Sequence, residues 1–135
     1  MPSIQINSPE QFAEVIPQLL ADLGSKKILL LDGHLGAGKT TFVKALAKTL
    51  GITQNVVSPT FIYIRGYQNG QRTVLWHLDL YRYNGDIEEI LTEEMRAQTD
   101  LICIEWPEIV PQVYQWPHLA LHFSYVDETT RILSW

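Results

Sequence analysis

The chain has 135 residues, 46% of them hydrophobic, with 15 acidic against 10 basic side chains and a net charge of −5. That length suits one domain over residues 1–135 that buries about two thirds of its unfolded surface, and the hydrophobic content excludes disorder. The acidic balance and the lack of a Lys/Arg run argue against strong direct nucleic-acid binding, and no apolar stretch approaches the ~20 residues that cross a bilayer.

In chain order, residues 3–7 predict a short edge strand. Ser8 then opens a helix: its hydroxyl caps orphan amides, Pro9 suits the first helical position and Gln11 completes a capping box. Phe12, Val15, Ile16, Leu19, Leu20 and Leu23 recur at helical spacing on one apolar face. Pro17 inside that pattern predicts a kink or early break, and Gly24 follows as a C-cap. The N-terminus lacks the basic patch and apolar run of a secretory signal, which gives the expectation of a cytoplasmic protein.

Residues 27–31 are continuously apolar after the first, as in a parallel strand covered on both faces. A glycine-rich turn over residues 33–38 leads to a helix over residues 39–50, with Val43, Leu46, Ala47 and Leu50 facing inward and Gly51 ending it. Residues 61–67 and 73–78 are strand candidates, separated by the turn pair Asn69-Gly70. Residues 86–98 read as one helix with Ile87, Ile90, Leu91 and Met95 on one side. Residues 101–104 form a second fully apolar strand ending at Glu105, with Cys103 as a core residue in a reducing compartment. An irregular or short helical piece follows Pro107 and Pro111. Residues 118–123 then alternate, with Leu119, Leu121 and Phe123 on one face, and the last residues pair back after a turn at 127–130.

The segment Gly33-His34-Leu35-Gly36-Ala37-Gly38-Lys39-Thr40 matches the P-loop pattern GxxxxGK[ST], between an apolar strand and an amphipathic helix. Glycines let successive amides turn toward phosphate oxygens, and the new helix adds its free N-terminal amides. Lys39 reaches the β- and γ-phosphates, the Thr40 hydroxyl ligates magnesium and Thr41 offers its amide to the α-phosphate. His34 is assigned no catalytic role. The fold class that follows is α/β, a P-loop NTPase-like three-layer sandwich with a predominantly parallel or mixed central sheet. The expected cofactors are ATP and Mg2+.

Three further residues are candidates to complete the site. Glu105 ends its strand where parallel sheets gather ligands, in the manner of a Walker B acid that binds magnesium or orients water. Asp79 shares a strand face with His77 and either holds metal-bound water, acts as a base, caps a turn or pairs with Arg82. Thr60, in the loop Ser58-Pro59-Thr60, either completes the metal shell as a switch residue or is an ordinary turn residue. Trp106 packs on a nucleotide or partner, or belongs to the core or rim.

GHLGAGKTTFVKALAKTLG, VVSPTFIYIRGY, HLDLYR and IEWPE together resemble the bacterial TsaE family, the small ATPase of tRNA threonylcarbamoyladenosine synthesis, over roughly residues 28–108. The resemblance implies that Gly36, Ala37, Gly38, Lys39, Thr40 and Thr41 wrap the phosphates, and that Thr40 and Glu105 bind magnesium. It implies Thr60 near the γ-phosphate and Asp79 important for hydrolysis. It also places Glu108 near the nucleotide and Ser8 near the base. It implies slow ATP hydrolysis within a complex with TsaD- and TsaB-type subunits, where the ATPase does not itself transfer the threonylcarbamoyl group. The rival reading is a small-molecule kinase with Asp79 as base and Arg82 steadying the phosphoryl group. A third is a nucleotide-dependent binding module without useful turnover.

Overall fold

The computed structural model describes residues 2–135. Seven strands form one mixed sheet in the order β1-β7-β6-β2-β5-β4-β3. They are β1 (Ser3–Ile6), β2 (Ile28–Asp32), β3 (Ile64–Asn69), β4 (Arg72–Asp79), β5 (Leu101–Glu105), β6 (His118–Tyr125) and β7 (Arg131–Ser134). The centre is parallel: β2 pairs with β5 and β6, and β4 pairs with β5. The margins are antiparallel, with β3 on β4, β7 on β6 and β1 on β7. β1 is an edge strand, as its sequence predicts.

Both faces are covered, so the central strands carry no polar face. Leu29 and Leu31 of β2 with Leu101 and Cys103 of β5 pack under α1 (Phe12–Leu23) and α2 (Lys39–Thr49). Ile28, Leu30, Ile102 and Ile104 face the other way, against Ile87, Leu91, Val110 and Val113 from short turns. This is the three-layer arrangement that unbroken apolar strands require. Under α1 and α2 the rings of Phe12, Phe42 and Phe123 meet with centroids 5.6 to 6.2 Å apart, two of the three pairs edge to face.

Four expectations change. The capping box forms, with Gln11 Oε1 accepting the Ser8 amide at 3.2 Å, but it opens a 3-10 turn over Pro9–Gln11 and α1 begins only at Phe12. α1 then runs unbroken through Pro17 to the Gly24 cap. Val15, Ile16 and Leu19 are buried around it, whereas Pro17 and Ala13 lie on the exposed face, so the Ala13 carbonyl that Pro17 leaves without an amide partner is on the solvent side rather than in the core. Residues 86–98 are not one helix. A 3-10 turn, Ile87–Glu89, is capped by Asp86, and α3 (Glu93–Gln98) starts afresh where Thr92 Oγ1 accepts the Met95 amide at 3.2 Å. Side-chain caps at Asp86 and Thr92 compete with a continuous helix. The first strand after the P-loop helix also starts late, at Ile64. The Tyr63 amide donates to Pro59 O at 2.7 Å, which closes a turn and leaves Phe61 83% exposed. Among the described residues no helix is long and apolar enough to cross a membrane.

An unbroken helix with an exposed proline at its middle has a testable consequence. Pro17→Ala should stabilise the protein by about 1–3 kcal/mol, because alanine restores a helical hydrogen bond and has far higher helix propensity. Urea unfolding followed by circular dichroism measures it; a lower midpoint would mean that the ring itself holds the helix.

Candidate active site

The loop from β2 to α2 closes tightly because glycine stands where a side chain has no room. A Cβ on Gly33 would lie 2.8 Å from the Phe123 carbonyl oxygen, and Gly38 has φ of +103° with Phe12 beside it. The Phe42 amide donates to Gly38 O at 2.9 Å, which starts α2 at the end of the loop. Lys39 and Thr40 are therefore the first residues of that helix, where amides are unpaired.

Lys39 is only 5% exposed. Its Nζ donates to Gly33 O at 2.6 Å and lies 4.1 Å from the Trp106 ring centroid. Burial pulls its pKa below the ordinary lysine value, opposed by the charges of Glu105, Asp79, Glu108 and Asp32 in falling order. A buried ammonium group whose hydrogen-bond partner is a neutral carbonyl gains charge-assisted hydrogen bonds when an oxyanion takes that partner's place.

The acids come from the strand ends. Register pairs Asp79 of β4 with Glu105 of β5, and both are 4% exposed. Glu105 Oε2 accepts the Thr40 hydroxyl at 3.5 Å and is hydrogen-bonded to His77 Nε2. Asp79 Oδ2 accepts the Thr60 hydroxyl at 2.9 Å and its Oδ1 accepts the Tyr81 amide at 3.0 Å. Ser58 Oγ lies 2.7 Å from Thr60 Oγ1, which ties the 58–60 loop to the same cluster. Asp79 thus pairs with Thr60 rather than with Arg82, and Arg82 is exposed and does not line the cavity formed here.

Lys39, Thr40, Thr60, Asp79 and Glu105 line one cavity of about 220 Å3, together with Gly36, Gly38 and Thr41. The hydroxyl of Thr40 and the carboxylate of Glu105 are hard oxygen donors of the kind Mg2+ takes. An adjoining cavity of about 370 Å3 holds Ser8 with Asn7, Phe12 and Thr129, and shares Gly38, Thr41 and Arg131 with the first. Two predicted residues stand apart. Ala37 is 1% exposed, with its side chain in the core and its amide donated to His34 O. Glu108 is exposed beyond both cavities and reaches the site only through its charge on Lys39.

Sequence reasoning missed Arg131. Its Nη2 donates to Gly36 O at 3.1 Å, its Nη1 donates to Thr130 O at 3.0 Å, and it lines both cavities. No local motif marks it, since it lies 95 residues from Gly36 in the chain. His77 was legible only as a neighbour of Asp79 on one strand face; its bond to Glu105 comes from pairing in the sheet.

Comparison with known proteins identifies the family and the fold. The family model described as "Threonylcarbamoyl adenosine biosynthesis protein TsaE" matches residues 6–133. A Synechocystis protein named tRNA threonylcarbamoyladenosine biosynthesis protein TsaE is 41% identical over 113 residues, covering 80% of this chain and 69% of its own. A Rickettsia felis protein of the same name is 34% identical over 132 residues, covering 96% of this chain and 76% of its own. The crystal structure of Bacillus subtilis YdiB superposes with a TM-score of 0.72 at 30% identity, over 98% of this chain and 82% of that one. With the family model spanning nearly all of the chain and these relatives matching most of it, the chain belongs to the TsaE family.

Proposed function

We propose that this protein binds Mg-ATP in the cavity at the P-loop and hydrolyses it slowly, as an accessory ATPase in the synthesis of N6-threonylcarbamoyladenosine in tRNA. The family supports the tRNA-modification role. The observation that carries the nucleotide reading is the convergence of Lys39, Thr40, Thr60, Asp79 and Glu105 on one cavity at a helix start.

Each residue has a part that follows from its chemistry. The loop amides and the start of α2 hold phosphate oxygens. Lys39 exchanges Gly33 O and the Trp106 face for the β- and γ-phosphates, to which it offers a full charge. Thr40 and Glu105 hold the cation. Bound magnesium supplies positive charge at the phosphate oxygens and the transition state. Asp79, steadied by the Tyr81 amide, orients the attacking water and accepts its proton, and Thr60 passes from Asp79 toward the γ-phosphate when the 58–60 loop responds to nucleotide. Arg131, which lines both cavities, would contact a nucleotide that spanned them. TsaD- and TsaB-type subunits are the partners that this family role implies.

Three measurements test the proposal. Lys39→Met should weaken ATP binding about 10- to 100-fold by calorimetry, the equivalent of one lost charged hydrogen bond of roughly 1.5–3 kcal/mol. Equal ATP affinity in the two proteins would remove Lys39 from the site. Glu105→Ala should reduce magnesium-dependent turnover by at least the ~100-fold typical of a lost charge-stabilising group while leaving nucleotide binding largely intact; unchanged steady-state hydrolysis would count against its metal role. Affinity capture with TsaD- and TsaB-type subunits should recover a complex in ATP and less of it in ADP. No complex with either nucleotide would contradict the accessory role.

A further inference from the structure

We infer that His77 is the positioning residue for Glu105, holding the orientation in which that carboxylate meets a divalent cation; this rests on the Mg-ATP reading above. His77 is fully buried, on the face of β4 that also carries Leu75 and Asp79. Sheet register sets His77 opposite Cys103 and Asp79 opposite Glu105, so the imidazole reaches Glu105 along a diagonal. A carboxylate only accepts, so His77 Nε2 carries the proton and donates to Glu105 Oε2.

Three observations separate this from an ordinary core histidine. First, Nδ1 is buried and has no hydrogen-bond partner among the described residues. An imidazole with one nitrogen unpaired is a costly core residue, and its single polar return is the bond to Glu105. Second, the other donor to Glu105, the Thr40 hydroxyl, stands at 3.5 Å, the outer limit of a hydrogen bond, so the imidazole is the stronger restraint. Both donors meet Oε2, and Oε1 takes no hydrogen bond among the described residues while Glu105 lines the cavity. Third, Asp79 and Glu105 are cross-strand neighbours of like charge, an arrangement that drives carboxylates apart unless each is held. Asp79 has Thr60 and the Tyr81 amide; Glu105 has His77. The partners of a ligating side chain fix its direction, and their loss costs metal affinity about 10- to 100-fold.

The full-length protein, loaded with a non-hydrolysable ATP analogue, should be titrated with Mn2+ and followed by electron paramagnetic resonance. His77→Phe keeps a planar ring, slightly larger, without a donor and should weaken Mn2+ binding about 10- to 100-fold, while nucleotide affinity measured in a chelator stays at the wild-type value. His77→Gln places an amide donor near the position of Nε2 and should recover most of the lost metal affinity. A purely structural histidine would lower the melting temperature in both variants and leave Mn2+ affinity alone. Because His77→Phe can fail to fold, the wild-type protein supplies an independent reading. The imidazole nitrogen NMR signals of His77 should show an exchange-protected Nε2–H that shifts when Mg2+ joins the bound analogue. Wild-type Mn2+ affinity in His77→Phe, equal impairment in Phe and Gln variants, or an unmoved imidazole signal would each overturn the inference. Failure of wild type to bind the analogue at all would overturn the Mg-ATP reading along with it, a pattern distinct from the other three.

Discussion

The parallel pairing of β5 with β2 on one side and β4 on the other is the constraint on which the site depends. It sets Glu105 beside Leu31, at the root of the P-loop, and beside Asp79. Residues 101–104 are buried and apolar on both faces, so hydrophobic alternation alone does not fix that register. The polar strand end does. A slip of one residue would turn Glu105 toward Leu30, Leu78 and Val110 on the far face, an unpaired carboxylate among aliphatic groups. It would also leave His77 with no acceptor. The residues that equip the site thus specify the sheet that presents it.

How much of this was readable from the chain follows the distance over which each signal acts. The P-loop was fully legible because its chemistry is contiguous: glycines, lysine and threonine lie within one turn of chain. Glu105 and Asp79 were legible as strand-end acids, since an apolar run followed by a carboxylate marks the carboxyl edge of a sheet. Thr60 lies where its loop suggested, bonded to Asp79. Arg131 and the His77–Glu105 bond were not legible, because each depends on which strands become neighbours. The misread elements have local causes. Periodicity over residues 86–98 is helical, but Asp86 and Thr92 each cap a new start, and the hydrophobic spacing is blind to that competition. Pro17 signals a break that burial on its opposite face overrides.

Among the described residues two other than glycine have positive φ, Tyr63 at +68° and Trp106 at +56°; Trp106 lines the cavity and Tyr63 bonds the backbone of Asp79. Each conformation costs about 1–2 kcal/mol. At Tyr63 the left-handed turn brings the 58–63 loop back onto the sheet, with the Tyr63 carbonyl accepting the Asp79 amide at 2.9 Å. At Trp106 it turns the chain directly after Glu105, so that the indole covers Lys39 and meets Tyr81 with centroids 4.8 Å apart. Strain therefore sits at the two points where loops must close over the acids.

The same end of the sheet also holds the molecule's buried charge. Lys39, Asp79 and Glu105 are each at most 5% exposed, and the net effect on Lys39 is that burial prevails over its acidic neighbours. A fold chosen for stability alone would place apolar residues there, as it does elsewhere along β2, β4 and β5. Concentrating desolvated charge and backbone strain at the carboxyl edge leaves the buried body of β2 and β5 apolar. It also makes that edge the part of the protein with most to gain from an anionic, metal-bearing ligand. A polyphosphate would return hydrogen bonds to the loop amides and a counter-charge to Lys39, and a cation would do the same for Glu105. Binding would then relieve buried charge beside the 58–63 loop, the segment that lends Ser58 and Thr60 to the cavity and whose Phe61 and Ile62 project from the surface.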